Sequence, residues 1–469
     1  MITRLRARLL VLAVLALAVI AAALTASAGH KTAAHQMTPA VGASPKYAVE
    51  GRIDPDLQVG PLRSCQTRLT PSAAGSCYGP DQIRQAYAIQ PLLDAGITGK
   101  GRTIVIIDAF GSNTIQSDLP AFDGYFGLPD PTLNIIEPQG TPSTPSSPAD
   151  GFSWKAETTL DVEWAHTVAP GATIDLVVAK SDNDADILAA TKYVADHNLG
   201  DVVSQSFGEA EACMDPSLLT QQHAVFGQLA AEHVTVFAST GDEGAALPTC
   251  DGTGYMKATS TPATDPLVTA VGGTQLIAAP ATANPDGTVM NIGGTWMSET
   301  TWNEGVGLSD GGGVSSIYGR PDFQAPVVKD THMREIPDIS YNAAVNGGVL
   351  GVLTCGPTEC GLPQATYFFR FGGTSAGSPQ WSGLVALADQ MAGGRIGGIN
   401  QTLYKLGKGG SAGSYFHDIT TGNNSVAASS IPGTPITGYS ALPGWDEATG
   451  WGTPIFNTLV PALAKAGNG

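Results

Sequence analysis

Charged side chains are scarce in this 469-residue chain: Asp, Glu, Lys and Arg make up only 14% of it, and 23 basic residues face 41 acidic ones. A formal net charge of −18 argues against nucleic-acid binding, which needs basic surface to displace counterions. So few ionisable groups also limit the self-repulsion that builds up on acidification, which suits a protein working at low pH. Beyond the first 24 residues no stretch is long and apolar enough to span a bilayer, so a multi-span membrane protein is excluded. Short-spaced cysteine pairs joined to a second Cys or His pair are also missing, which disfavours a zinc site.

What the chain does have begins at its first residues. Arg4, Arg6 and Arg8 precede an unbroken apolar run from Leu9 to Leu24, and Ala26-Ser27-Ala28 is a small-x-small cleavage site. This pattern reads as a secretory signal over residues 1–28, with the mature chain starting near Gly29. A membrane anchor is the alternative, but the run is short and ends in small residues. The protein is therefore expected to be secreted and free of the membrane after cleavage. The six cysteines suit an exported chain as disulfides. Their connectivity stays open at this level, and the simplest pairing joins neighbours: Cys65–Cys77, Cys213–Cys250 and Cys355–Cys360.

Residues 29–75 form a short Ala/Pro/Ser/Thr-rich segment, without periodicity from Gly29 to about Pro61, and are expected to be poorly ordered. Order is expected to begin near Cys77, with a single domain over 76–469. Within it, Ile83 to Ala95 reads as a short helix pair. Buried strands are predicted at Thr103–Asp108, Thr173–Val178, Asp201–Ser206, Val234–Ser239 and Leu267–Val271, with helices at Asp184–His197 and Asp215–Glu232. Strands alternating with helices predict a three-layer α/β/α fold around a parallel sheet. Ligands bind beyond the carboxyl ends of such strands, and Asp108, Ser206 and Asp242 fall there.

Three motifs carry the chemistry. The first is Gly372-Gly373-Thr374-Ser375-Ala376-Gly377-Ser378-Pro379, between a strand-like run (Ala365–Phe371) and a helical one (Trp381–Met391). Ser375 sits where unpaired N–H groups and the helix dipole favour an oxyanion. The plain reading is a small-residue turn. The second is Glu157-Thr158-Thr159-Leu160-Asp161, in a helical run from Lys155 to Val168. Its two carboxylates lie one turn apart on the same face of a largely apolar helix. Facing solvent they mean nothing; facing inward they are coupled, and one pKa rises. Such a carboxylate serves as a general base in acid, where histidine is already protonated. The third is Thr240-Gly241-Asp242-Glu243-Gly244, which is either an ordinary Asx-type turn or a protonated carboxyl placed to donate to an oxyanion.

Together these motifs resemble the sedolisin (serine-carboxyl peptidase) family, relatives of subtilisin. The family's SGTSAS motif corresponds to GGTSAGSP here, its Glu-x-x-x-Asp helix to Glu157 and Asp161, and its Gly-Asp-x-Gly turn to Asp242. SQSFG (204–208, with Phe207 where tryptophan is usual), TAVGGT (269–274) and REIPDISYNA (334–343) match in order, from about Cys77 to near the C-terminus. The resemblance implies a subtilisin-like fold and acid-active cleavage of proteins or peptides. Ser375 would be the nucleophile, Glu157 the base, Asp161 its partner and Asp242 the oxyanion donor. It also implies one structural Ca²⁺ in a C-terminal loop, held by the carboxylates of Asp418 and Asp446 and the carbonyls of Ile419, Leu442 and Gly444. A monomer is expected.

Two departures leave alternatives. Asp108 stands where the family commonly has an acidic residue supporting the glutamate, and also where subtilisin has its aspartate. A Ser375–His166–Asp108 triad is therefore a rival, although His166 lies two to three turns along the helix from the expected place. The stretch between Ala28 and Cys77 is also too short for the large folded propeptide usual in the family. That leaves room for a secreted, catalytically silent relative that binds peptides, glycans or a cell-surface partner, although every catalytic residue type is present.

Overall fold

In the computed structural model the alternating strand and helix patterns become a parallel sheet between two helical layers. The structure describes residues 38–39, 46–54, 59–68, 75–284, 289–305, 307–329, 331–427 and 435–467. The expected signal, residues 1–28, lies outside them. Among the described residues no helix is long and apolar enough to cross a membrane.

The strands that matter for the site are, in chain order, β1 (Thr38–Pro39), β2 (Tyr47–Arg52), β3 (Cys77–Tyr78), β4 (Thr103–Ala109), β5 (Leu133–Ile136), β6 (Thr173–Ala179), β7 (Val202–Gln205), β8 (Phe207–Ala210), β9 (Thr235–Ser239), β10 (Ser260–Thr261), β11 (Thr269–Ala278), β12 (Trp296–Thr301), β13 (Ile339–Asn342), β14 (Gly348–Cys355) and β15 (Ala365–Phe371). The main helices are α1 (Ile115–Phe126), α2 (Pro148–Val168), α3 (Asp184–Asp196), α4 (Pro216–Ala231), α5 (Gly377–Ala392) and α6 (Phe456–Gly467). The eight-stranded sheet runs β12-β11-β9-β7-β4-β6-β5, with β13 also paired to β11. All of its pairs are parallel except β11 with β12.

Period-two alternation sorts the β4 side chains onto the two faces of the sheet. Ile104 and Ile106 pack with Leu160 and Trp164 of α2 and Trp381 and Leu384 of α5. Val105 and Ile107 pack with Ile187 and Val194 of α3 and Phe226 and Leu229 of α4. Both faces are thus covered, as the continuous apolar runs of parallel strands require.

α2 starts earlier than the pattern predicts. Ser147 caps it by accepting from the Asp150 N–H, and Pro148 occupies the first turn, where its missing N–H costs nothing. From Phe152 to Val168 every residue is buried.

A second, four-stranded sheet, β2-β15-β14-β3, leads into the Ser375 turn. It corrects one expectation, because order begins well before Cys77. Tyr47 to Arg52 pairs antiparallel with β15, from Tyr47 opposite Phe371 to Arg52 opposite Tyr367. The strand is fixed by an Arg370–Glu50 ion pair at 2.8 Å and by edge-on contacts of Tyr47 with Phe152 and Phe369. The three disulfides join neighbouring cysteines: Cys65–Cys77, Cys213–Cys250 and Cys355–Cys360.

Candidate active site

Three elements converge beyond the carboxyl ends of β4, β7 and β9. β15 ends at Phe371, a single 3-10 turn covers Thr374–Ala376, and α5 starts at Gly377. Ser375 therefore lies in the first turn of a helix, where backbone N–H groups have no intrahelical partner. Its side chain is fully buried, and its hydroxyl lies 3.5 Å from the Ser206 carbonyl.

Glu157 and Asp161 face this turn from α2, both with no exposed surface. Burial drives the Glu157 carboxyl well above the usual range, and the nearby charges of Asp161, Asp108 and Asp242 push it further. The Ser375 hydroxyl approaches closely enough to favour the ionised form, yet among the described residues neither Glu157 oxygen has a partner at normal hydrogen-bond length. Burial, followed by the Asp108 charge, likewise raises Asp161 well above its ordinary value. Ser206 partly offsets this by donating from its hydroxyl to Asp161 Oδ1 at 2.9 Å. Asp108, at the end of β4, is pushed up to about 7 by burial, with Thr158 acting in the opposite direction. Among the described residues neither of its oxygens has a hydrogen-bond partner.

Asp242 approaches from the other side. Its Oδ1 accepts from the Thr374 N–H at 2.8 Å and from the Thr374 hydroxyl at 2.9 Å, while Oδ2 is buried with no partner among the described residues. Burial raises its pKa to about 7; Lys46 opposes the shift and Glu243 adds to it. Gly373 is required here. Its φ is +112°, and a Cβ at this position would lie 2.6 Å from Asp242 Oδ2.

The rival triad does not assemble. His166 is buried, with Nε2 3.2 Å from Asp123 Oδ1 on α1, so its partner is neither Asp108 nor Ser375. A cavity of about 680 Å³ opens at the N-terminal part of α2, lined by Phe110, Ser112, Phe152, Lys155 and Glu359; none of the four expected catalytic residues lines it.

Among the described residues no group of three or more His, Cys, Asp or Glu is placed to hold a metal. The two loops expected to share Ca²⁺ do meet. Gly444 N–H donates to both oxygens of Asp418, at 3.1 and 3.0 Å, and Leu442 N–H donates to Asp446 Oδ2 at 2.8 Å. Asp446 Oδ1 also accepts from the N–H groups of Ala448 and Thr449. Two carboxylates and irregular loop backbone are hard oxygen donors of the kind Ca²⁺ takes, so the residues fit the ion.

Sequence reasoning gave no role to two residues at the site. Ser206 was visible only as a strand end. Lys46, buried beside Glu243 with its ammonium 3.7 Å from the carboxylate, carried no local signal because it lies in an unpatterned segment.

A fold with these groups at the strand ends is that of a subtilase. The family model described as "Subtilase family" matches residues 155–395, about half of the chain. Kumamolisin from Bacillus sp. (strain MN-32) is 33% identical over 401 residues, covering 84% of this chain and 64% of the relative. Sedolisin from Pseudomonas sp. (strain 101) is 28% identical over 433 residues, covering 89% and 66%. Among solved structures, Pseudomonas sedolisin (serine-carboxyl proteinase) complexed with two molecules of pseudo-iodotyrostatin aligns with a TM-score of 0.65 and 26% identity, covering 83% of this chain and 99% of that one. The chain belongs to the subtilase family and, within it, to the sedolisin branch. It spans just under two thirds of the length of these two curated relatives.

Proposed function

We propose that the protein is a secreted serine-carboxyl peptidase that hydrolyses peptide bonds in acid. The observation that carries this reading is the burial of Glu157 and Asp161 against Ser375, with no histidine among them. Two buried carboxyls this close hold a shared proton more easily than two charges, so the pair stays active where imidazole is protonated.

Ser375 Oγ attacks the scissile carbonyl while Glu157 takes its proton. Asp161 shares that proton and is held in place by the Ser206 hydroxyl. The oxygen that becomes negative accepts from the Ser375 N–H and from the protonated Asp242, whose Oδ2 has no other partner among the described residues. The C–N bond breaks as Glu157 returns the proton to the departing amine. Water then adds to the acyl-serine by the same steps in reverse, releasing the acid and restoring Ser375.

Asp418, Asp446 and the carbonyls of Ile419, Leu442 and Gly444 would hold one Ca²⁺, which would tie the two loops together; no catalytic step passes through it. Substrates are proteins or peptides, and the working form is a monomer without a membrane anchor.

The test is acid incubation with denatured haemoglobin, beside Ser375→Ala. Fragments from the parent chain alone support the reading. Cleavage that persists in Ser375→Ala, or none in a folded parent chain at any pH, overturns it; the second outcome leaves a binding protein.

A further inference from the structure

An oxyanion donor works only where it is held, because a displacement of about 1 Å can cost about 10²-fold in rate. Asp242 lies in the turn just past β9, and Thr374 holds its side chain. The backbone of the turn is held from another direction. Ser309 N–H donates to the Asp242 carbonyl at 2.9 Å, Gly244 N–H to the Ser309 carbonyl at 2.8 Å and Gly311 N–H to the Gly241 carbonyl at 2.8 Å. The segment Ser309–Gly311 thus grips the turn on both sides of Asp242. The approach is close, since a Cβ at Gly311 would lie 2.2 Å from the Thr240 carbonyl oxygen.

Asp310 is the middle residue of this grip, and its side chain has no exposed surface. Its Oδ1 accepts from the Gly273 N–H of β11 at 2.5 Å and from the Thr240 hydroxyl at 3.4 Å, while Oδ2 has no partner among the described residues. Gly273 in turn lies against Thr374, where an added Cβ would come within 3.2 Å of the threonine methyl carbon. The Thr374 hydroxyl also accepts from the Gly241 N–H at 3.1 Å. One carboxyl oxygen therefore ties β11 to the residue that opens the Asp242 turn, next to the threonine that holds Asp242. A buried carboxyl is a costly tie when charged. Burial drives Asp310 well above the usual carboxylate range; the Gly273 N–H opposes this, and the charges of Asp446 and Asp242 add to it. In acid the group is neutral, so its oxygen still accepts and no further negative charge faces the developing oxyanion.

Resting on the peptidase reading above, we propose that Asp310 is a positioning residue of the oxyanion site. Its Oδ1 fixes the 309–311 segment and Thr240, and so sets where Asp242 meets the substrate oxygen. Asp310 touches no reacting atom. Its effect falls on the transition state, where Asp242 acts, rather than on substrate binding.

The experiment compares the full chain with Asp310→Ala and Asp310→Asn on a fluorogenic peptide in acid. Asp310→Ala should lower kcat about 10- to 100-fold with KM unchanged. Asp310→Asn keeps an acceptor oxygen and should recover kcat to within about threefold of the parent. In an Asp242→Ala background no donor is left to place, so adding Asp310→Ala should cost less than about threefold. A merely structural role would lower kcat equally in both backgrounds. Independently of activity, the Gly244, Ser309 and Gly311 amides of the Ser375→Ala protein should resist hydrogen exchange and lose that protection when Asp310→Ala is added. Should Asp310→Ala not fold, Thr240→Val takes its place in both assays; it removes the hydroxyl and should lower kcat about two- to tenfold at unchanged KM. A parent-like kcat in the substituted chain, equal losses with and without Asp242, or unchanged exchange of the three amides overturns the assignment. If the parent chain fails to cleave at every pH, the peptidase reading falls instead, and the exchange result alone decides whether Asp310 holds the turn.

Discussion

Replacing Asp242 by asparagine separates the charge of this carboxyl from its shape. The side chain is fully buried, with Oδ1 held by Thr374 and Oδ2 open, so an amide fits with its oxygen at Oδ1. Burial lifts the Asp242 pKa from 3.8 to about 7. The raised value means that the folded state favours the neutral form. Its contribution to stability is complete below about pH 4 and is lost as pH rises through about 7. A displacement of about three pH units is worth about 4 kcal/mol by pH 8. The assay is the unfolding free energy at pH 4 and pH 8, in a Ser375→Ala background to prevent self-digestion, with and without Asp242→Asn. The parent should lose about 4 kcal/mol more than the Asn variant between the two pH values. Parallel losses would refute the claim that Asp242 is kept protonated in the fold. In the active chain, Asp242→Asn should retain part of the turnover, because an amide still donates, and should depend less on acid.

Other outcomes follow from the same geometry. Glu157→Gln keeps the shape but cannot take a proton, so kcat should fall by about 10²–10⁴-fold with the circular-dichroism spectrum intact; a parent-like rate would reject Glu157 as the base. Gly373→Ala places a Cβ 2.6 Å from Asp242 Oδ2 at φ +112°, and should cost about 1–3 kcal/mol along with turnover. An unchanged melting temperature and kcat would contradict the close approach. Excess EDTA should lower the melting temperature through Asp418 and Asp446, and an unchanged value with no metal found in the protein would remove the Ca²⁺ site.

Much of this arrangement was legible before the structure. β4, β6, β7 and β9 are apolar on both faces, which only a parallel sheet covered by helices accommodates. Glu157 and Asp161 stood out because a helix places them one turn apart among apolar neighbours. The start of α2 was hidden because 148–154 contains Pro, Gly and Asp, which argue against a helix until the Ser147 cap and the first-turn proline are seen together. The order in 46–52 was invisible for a different reason. β2 has few apolar positions and gains its stability from pairing with β15, far away in sequence. His166 could be set aside only once Asp123 was found beside it, a contact between two helices that no local pattern reports.

The central claim is that a buried carboxylate pair, and no histidine, activates Ser375. The pH dependence of kcat/KM on a peptide substrate, from about pH 3 to pH 8 with Ser375→Ala as control, tests it most directly. Activity that is greatest in acid, falls as the carboxyls lose their shared proton and is absent from Ser375→Ala is the predicted result. A rate that rises toward neutral pH, as an imidazole base would give, contradicts it.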